Sequence, residues 1–175
     1  MTIFLVGPRA SGKTRIGGAL AAELGWVSVD TDHFMYNDSG LTVAEVVSRE
    51  GWPGFRRRES IALRRVAQAG RVVATGGGII LDPANVAFMR LNGMVFYLDA
   101  PEWLLVRRLS RRLDNPNRPS LTGKSIADEV HEVLQERRPL YFAAAHRALD
   151  ASRPPREVVR QAFWCMPGAS RGNCW

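Results

Sequence analysis

The chain has 175 residues, of which 46% are hydrophobic, and its formal net charge is +7 at pH 7. This length suits a single domain with a well-buried core. No apolar run approaches the ~18 residues that a membrane span requires, and the first strand begins without a leader, so we expect a cytoplasmic protein with no membrane partner. Both cysteines lie near the C-terminus, which indicates neither a disulfide framework nor a zinc site.

The positive charge is compatible with nucleic-acid binding, because a basic face attracts phosphates. The arginines, however, occur in three separate stretches that are interleaved with acidic residues, at 56–58, 107–112 and 137–138. A small-molecule site for anionic substrates explains these groups equally well. Because aromatic stacking clusters are also missing, we expect no nucleic-acid partner.

The first predicted strand, Ile3–Val6, leads into the most informative segment of the chain. Residues 7–14, GPRASGKT, match the phosphate-binding pattern G-x-x-x-x-G-K-[ST]. Glycines there let backbone N–H groups curl around phosphate oxygens, and the helix predicted over Lys13–Leu24 directs its positive dipole end at them. The segment therefore predicts a nucleotide site in which Lys13 meets the outer phosphates and Thr14 meets magnesium.

Two acidic residues, Asp30 and Asp32, follow the second predicted strand, Trp26–Val29. Open α/β sheets bind ligands at the carboxyl ends of their strands. On extended chain, the two-residue interval would direct both carboxylates the same way, so that one could serve magnesium with Thr14 and the other a substrate hydroxyl. The alternative is that these residues only cap the following helix.

The rest of the chain alternates between predicted helices and strands. These elements are a short helix that begins with a capping box at Thr42 and is broken at 51–54, a helix at 55–69, a strand at 71–74, a helix at 83–92, a strand at 94–98, helices at 101–113 and 125–141, a strand at 147–149 and a helix at 155–165. This alternation predicts an α/β fold, with a parallel sheet covered by helices on both faces.

Two arginines and a run of glycines each have two interpretations. Arg56 lies one position into a predicted helix with Glu59 three residues later, and Arg137 follows Glu136. A guanidinium fork suits a planar carboxylate, but each arginine taken alone fits a solvated helical face as well. The glycines of Gly76–Gly78 would let a ligand approach the backbone.

Taken in order, these motifs resemble the shikimate kinase family over about residues 1–165. The resemblance rests on GPRASGKT, Asp30-Thr31-Asp32, Phe55-Arg56 with Glu59, Thr75-Gly76-Gly77-Gly78, Arg118-Pro119, and Arg137 followed by Pro139-Leu140-Tyr141. The loop around Arg118 and the run Ala74–Ile80 are most similar to the second of two enterobacterial isozyme types.

The family implies a three-layer P-loop kinase fold of the nucleoside-monophosphate-kinase type. Its parallel sheet has five strands in the order 2-3-1-4-5, is flanked by helices and carries a mobile lid, here at about 109–123. We accordingly expect a single domain over residues 1–165, followed by a disordered tail at 166–175. We also expect a monomer.

The resemblance implies transfer of the ATP γ-phosphoryl group to the 3-hydroxyl of shikimate, with Mg²⁺, on the route to chorismate and the aromatic amino acids. Catalytic roles would belong to Lys13, to Arg118 from the lid and to Asp32 as the base that orients the accepting hydroxyl. The implied nucleotide-binding residues are Gly7, Ala10, Ser11, Gly12, Lys13, Thr14, Arg15, Arg108 and Arg118. The implied shikimate-binding residues are Asp32, Arg56, Gly77, Gly78 and Arg137. Thr14 and Asp30 would hold the metal ion.

A gluconate kinase or another small-metabolite kinase of this fold is the nearest alternative, because its phosphate site and lid would look the same. Two converging guanidinium groups with backbone donors favour a carboxylated cyclic polyol instead. A nucleotide-switched binding module is less consistent with the chain, which lacks the guanine-reading sequence N-K-x-D. Within residues 107–112, several arginines besides Arg108 could lie on the adenine side.

Overall fold

A computed structural model describes residues 1–111 and 125–166. The strands are β1 (Thr2–Val6), β2 (Val27–Asp30), β3 (Arg71–Ala74), β4 (Gly93–Asp99) and β5 (Arg147–Asp150). The helices are α1 (Lys13–Leu24), α2 (Thr31–Ser39), α3 (Val43–Val66), α4 (Pro83–Asn92), α5 (Glu102–Ser110), α6 (Ile126–Ala144) and α7 (Pro155–Trp164). Most of the predicted lid and almost all of the predicted tail lie outside the described residues.

The five strands form one parallel sheet in the order β2-β3-β1-β4-β5. The central strand, β1, pairs with β3 on one side and β4 on the other, and every residue of β1 is buried. Burial on both faces explains why this strand is a continuous apolar run in the sequence. The predicted fold class and strand order are therefore confirmed.

Each face of the sheet carries its own apolar cluster. Ile3 and Leu5 pack with α1, α5 and α7, whereas Phe4 and Val6 pack with α3, α4 and the buried Tyr97 of β4. Successive side chains of a strand point to opposite faces, so β1 contributes alternately to both clusters. The two helical layers are thereby fixed to the sheet, and the carboxyl ends of β1, β3 and β4 lie at one edge.

The chain after β2 differs from the prediction, because residue 31 already begins a helix. One oxygen of Asp30, Oδ1, accepts hydrogen bonds from the backbone N–H groups of Asp32 and His33 at 3.0 and 3.3 Å, so Asp30 is the N-cap of α2. Asp32 therefore lies in the first turn of α2 and not on extended chain. This short polar helix has no strong apolar periodicity in the sequence that could have predicted it.

Helix α3 begins with the predicted capping box, in which Thr42 and Glu45 exchange hydrogen bonds. The predicted break is present but smaller than expected, since Gly51, with φ 67° and ψ 178°, interrupts the helix. Pro53 is tolerated because it falls in the first turn after this kink, where its missing N–H is not needed. None of the helices in the described ranges combines the length and apolarity that crossing a bilayer requires.

Candidate active site

The glycine-rich loop joins the central strand β1 to α1. Gly7 and Gly12 have positive φ angles of 148° and 102°, and a Cβ atom on Gly7 would lie 3.0 Å from the carbonyl oxygen of Leu98. Ala10 also has a positive φ, and Ser11 is fully buried within the loop. Gly12 is the N-cap of α1 and has no side chain to satisfy the first N–H groups of the helix. These groups are thus left for an anion.

Lys13 bends back over this loop. Its Nζ donates to the carbonyl oxygens of Gly7 and Pro8 at 2.7 and 2.8 Å. The ammonium group therefore lies across the concave side of the loop, where an anion bound to the backbone N–H groups would be within its reach. Arg15 is exposed in the first turn of α1.

Thr14 and Asp30 meet beside the loop. The Thr14 hydroxyl donates to Oδ2 of Asp30 at 2.6 Å, while the other carboxylate oxygen caps α2. The capping interpretation of Asp30 is therefore confirmed, and its other oxygen, Oδ2, lies against Thr14, the partner that the magnesium interpretation requires. The pair consists of hard oxygen donors next to a phosphate loop, which is the donor set that Mg²⁺ uses with nucleotide phosphates.

Arg108 connects the glycine-rich loop to the residues that follow β5, an edge strand of the sheet. Its Nη1 donates to the carbonyl oxygens of Ala10 and Ser11 at 3.1 and 3.3 Å, and its Nη2 donates to that of Ala151 at 3.2 Å. Arg107 and Arg111 are exposed. The structure thus places Arg108 between the P-loop and the loop after β5, a contact that the sequence pattern did not reveal. The predicted Arg118 lies outside the described residues.

The three glycines after β3 let charged side chains lie directly on the backbone. A Cβ atom on Gly78 would overlap the guanidinium of Arg56, and a Cβ atom on Gly76 would overlap the Glu59 carboxylate and lie 3.1 Å from Oδ1 of Asp32. On Gly77, a Cβ atom would lie 3.6 Å from the carbonyl oxygen of Gly7. The glycine run therefore touches both the P-loop and the predicted acceptor residues.

The Arg56 side chain is held on several sides. Its Nη1 forms an ion pair with Oε2 of Glu59 at 2.6 Å, and its guanidinium lies 5.6 Å from the ring centre of Trp52 and 5.3 Å from that of Phe55. Such cation–π contacts and the ion pair restrict the rotamers of the guanidinium. The interpretation of Arg56 as part of a solvated helical face is therefore wrong.

Glu59 is 1% exposed, and its Oε1 has no hydrogen-bond partner among the described residues. Burial raises its pKa to about 6, opposed by the charges of Arg56 and Arg137 and reinforced by that of Asp32. These interactions place both guanidinium groups and the second carboxylate around one buried acid. A buried acceptor oxygen without a donor is costly, which indicates that it faces a ligand or water.

Arg137 reaches the same cluster from α6. Its side chain is 12% exposed, and its Nε has no hydrogen-bond partner among the described residues, since the nearest oxygen of Glu136 is 4.0 Å away. A desolvated guanidinium with an unused donor fits an anionic ligand. The structure therefore brings Arg56 and Arg137 together, as predicted, and removes Arg137 from the solvated face that was its alternative interpretation.

Tyr141 is a site residue that the sequence prediction did not single out. Its hydroxyl donates to the carbonyl oxygen of Gly77 at 2.5 Å, and it follows Arg137 by four residues, on the same face of α6. The four-residue spacing from Arg137 was the sequence signal that could have identified Tyr141 as a site residue. A cleft beside Gly77 and Arg137 is lined by these two residues and Tyr141, by Pro8, Arg9 and Glu129, and by the apolar side chains of Leu105, Leu109, Val130, Val133 and Leu134.

The two halves of the site meet at Gly77. One half offers uncapped N–H groups, an ammonium and hard oxygen ligands, and the other offers two guanidinium groups beside the carboxylate of Asp32. Such an arrangement can hold a nucleotide phosphate opposite an acceptor that carries both a carboxylate and a hydroxyl.

Comparison with known proteins agrees with this geometry. The shikimate kinase family model matches residues 9–166. A curated relative named Shikimate kinase 2, from Syntrophotalea carbinolica, is 56% identical over 162 residues, which are 93% of this chain and 94% of the relative. The solved shikimate kinase from Acinetobacter baumannii, in complex with shikimate, is 34% identical with a TM-score of 0.86, covering 93% of this chain and 90% of that one.

A more distant likeness shows only the shared fold. The gluconokinase from Sinorhizobium meliloti is 21% identical with a TM-score of 0.56, covering 92% of this chain and 88% of that one. The family model covers residues 9–166, and the curated relative covers 93% of the chain. The chain therefore belongs to the shikimate kinase family.

Proposed function

We propose that this chain transfers the γ-phosphoryl group of ATP to the 3-hydroxyl of shikimate, which yields shikimate 3-phosphate and ADP. The observation that carries the proposal is the convergence of Arg56 and Arg137 on the buried Glu59, beside Asp32 and the glycine run that touches the P-loop. A ring that carries one carboxylate and several hydroxyls matches two guanidinium groups, a base and exposed backbone donors.

On the acceptor side, we assign the carboxylate of shikimate to Arg56 and Arg137, and its ring hydroxyls to the backbone at Gly77 and Gly78. Arg137 has an unused, buried donor, and Arg56 lies against Gly78, so both can bind the substrate without a large rearrangement. Asp32 is exposed at the same place. It accepts the proton of the 3-hydroxyl as the new O–P bond forms and the bond to the β-phosphate breaks.

On the nucleotide side, we assign the phosphates to the N–H groups of residues 7–14, to Lys13 and to Arg118, with Arg15 and Arg108 flanking the loop. Lys13 already lies over the loop, at 2.7 Å from the Gly7 carbonyl, and would exchange this contact for phosphate oxygens. Thr14 and Asp30 would hold Mg²⁺, which neutralises phosphate charge when bound. We also propose that the enzyme acts as a monomer.

A gluconate kinase remains the alternative to be tested, because the fold and the phosphate loop are shared. Gluconate also carries a carboxylate, but it is linear and flexible, whereas the held guanidinium of Arg56 and the buried Arg137 form a site with little freedom. A preformed site of this kind binds a rigid ring with a smaller loss of conformational entropy.

An assay with a panel of three kinds of phosphoryl acceptor distinguishes between these two functions. ADP formation by the purified chain is measured in a coupled assay with ATP, Mg²⁺ and, in turn, shikimate, gluconate and nucleoside monophosphates. We expect kcat/KM for shikimate to exceed that for every other acceptor by orders of magnitude. Preferential turnover of gluconate or of a nucleotide would refute the proposed function.

A further inference from the structure

The hydrogen bond between Tyr141 and Gly77 fixes one peptide unit of the proposed acceptor site. The peptide bond is planar, so the carbonyl oxygen of Gly77 and the N–H of Gly78 belong to the same rigid group and point in opposite directions. The tyrosine hydroxyl holds that oxygen at 2.5 Å. It thereby also fixes the direction of the Gly78 N–H, at the residue on which the Arg56 guanidinium rests.

The Tyr141 ring is itself held rigidly. It is fully buried and stacks on Tyr97 at 5.1 Å between ring centres, with an interplanar angle of 13°. The Tyr97 hydroxyl donates to Oδ1 of Asp99 at 2.8 Å, and Arg138 donates to Oδ2 at 3.0 Å. The stack therefore connects the acceptor backbone to the end of β4 and leaves the Tyr141 hydroxyl little freedom to move away from Gly77.

Tyr141 is also close to the charges of the site. Its pKa is raised by burial, while the charge of Arg137, one helical turn earlier, acts in the opposite direction. The hydroxyl thus stays protonated and remains a donor. Tyr141 contacts both the Gly77 carbonyl and the charged Arg137 side chain, because Tyr141 and Arg137 lie on the face of α6 that lines the cleft beside Gly77.

We propose that Tyr141 is a positioning residue for acceptor binding: its hydroxyl orients the 77–78 peptide unit so that the Gly78 N–H meets a ring hydroxyl of shikimate. The identity of the acceptor rests on the proposed function. The orientation of the peptide unit, however, rests only on the hydrogen bond to Gly77. Tyr141 touches no reacting atom and acts through the backbone of Gly77 and Gly78.

The experiment compares two variants that each lose one hydroxyl from the same aromatic stack. In Tyr141→Phe the bond to Gly77 is lost, and we expect the KM for shikimate to rise about three- to tenfold, with the KM for ATP changed less than about twofold. In Tyr97→Phe the bond to Asp99 is lost instead, and we expect both KM values to stay within about twofold of the wild type.

Thermal unfolding of both variants is measured alongside the kinetics. Equal rises in the shikimate KM of the two variants would show that a loosened stack is responsible and would overturn the proposal, as would an unchanged KM in Tyr141→Phe. If Tyr141→Phe does not fold, the dissociation constant of shikimate is measured for Tyr141→His and Tyr97→His. We expect weaker binding in Tyr141→His than in Tyr97→His, and equal dissociation constants would overturn the proposal. Failure of the proposed function is recognised separately, because the wild type would then prefer another acceptor of the panel. In that case, the KM values of the same variants are measured with the preferred acceptor in place of shikimate.

Discussion

At the scale of single residues, the environment of each charged group decides its role. Arg56, Arg57 and Arg58 are consecutive, yet only their surroundings distinguish them: Arg56 lies over two aromatic rings and Glu59, Arg57 is exposed, and Arg58 pairs with Glu50. The exposed or surface-paired arginines contribute little to the stability of the fold, because water screens their charges. A half-buried guanidinium held against the glycine run is in a position to bind an anion.

We expect replacement of Arg56 or Arg137 by alanine to weaken shikimate binding selectively. The KM for shikimate should rise about ten- to a hundredfold, since a hydrogen bond to a charged group contributes about 1.5–3 kcal/mol, while the KM for ATP stays near that of the wild type. Arg57→Ala is the matched control, because this exposed neighbour should leave both values unchanged. Equal damage to the ATP KM would contradict the assignment.

Asp32 supports a second prediction, because it is exposed beside the glycine run and near both guanidinium groups. Asp32→Asn keeps the shape of the side chain but removes the base, so we expect kcat to fall about a hundredfold or more while ATP still binds. Asp38→Asn, on the same helix and paired with Arg65, is the control and should retain full activity. A nearly active Asp32→Asn enzyme would exclude the role of Asp32 as base.

At the scale of elements, the kink in α3 aims the start of its second half at the site. Gly51 has φ 67° and ψ 178°, a region that is essentially restricted to glycine. After the kink, Trp52 and Phe55 pack edge to face at 5.8 Å between ring centres and support Arg56. A straight helix through residue 51 would direct these side chains away from the site.

Replacing Gly51 by alanine should therefore destabilise the fold and weaken shikimate binding together. We expect a loss of about 1–3 kcal/mol in the free energy of unfolding, because a side chain is strained at these angles. Gly18→Ala is the matched control, since its added Cβ meets nothing within 4 Å and lies inside α1. That variant should be more stable by about 0.5–1 kcal/mol, as measured by chemical denaturation. A Gly51→Ala protein as stable as Gly18→Ala would show that the kink carries no strain.

At the scale of the whole molecule, the sheet brings residues from distant parts of the chain to one edge. The outermost strand on one side, β5, depends on His146 just before it, whose Nδ1 accepts a hydrogen bond from the backbone N–H of Val95 at 3.0 Å. The His146 N–H in turn donates to the Val95 carbonyl at 2.9 Å. This reciprocal pair continues the contact between β4 and β5, and it requires a neutral imidazole.

The stability of the sheet should accordingly decrease in mild acid. Burial and the neighbouring charges of Arg90 and Arg147 lower the pKa of His146 below 6.5. The unfolded chain then binds more protons than the folded one, so the contribution of His146 is complete above pH 6.5 and is lost as the pH falls through the folded pKa. We expect the difference in unfolding free energy between the wild type and His146→Gln to be largest near neutral pH and to shrink as the pH is lowered below about 6.5.

The raised pKa of Glu59, about 6, acts in the opposite direction, because its buried charge costs stability as the pH rises through that value. This contribution is common to the wild type and His146→Gln and cancels in their difference. His33→Gln, an exposed substitution on α2, serves as the second reference. A difference between wild type and His146→Gln that does not change with pH would contradict the role of His146.

Much of this architecture could be predicted from local patterns. Helix α1 has the bounds Lys13–Leu24 that its periodicity indicated, whereas the strand order was expected only from the family resemblance. Helix α2 was missed because it is short and polar, and its start depends on the Asp30 cap. Caps and apolar periods are written in neighbouring residues, so they can be recognised before the chain is folded.

The sequence by itself determined the phosphate loop, the alternation of strands and helices and the family, because each depends on residues close together in the chain or on motifs in a fixed order. Only the tertiary structure decided that Arg56 and Arg137 lie at least partly buried beside Glu59, and that Tyr141 holds Gly77. Burial and hydrogen bonding between distant segments depend on the packing of α3, β3 and α6 against one another. No local pattern carries that information.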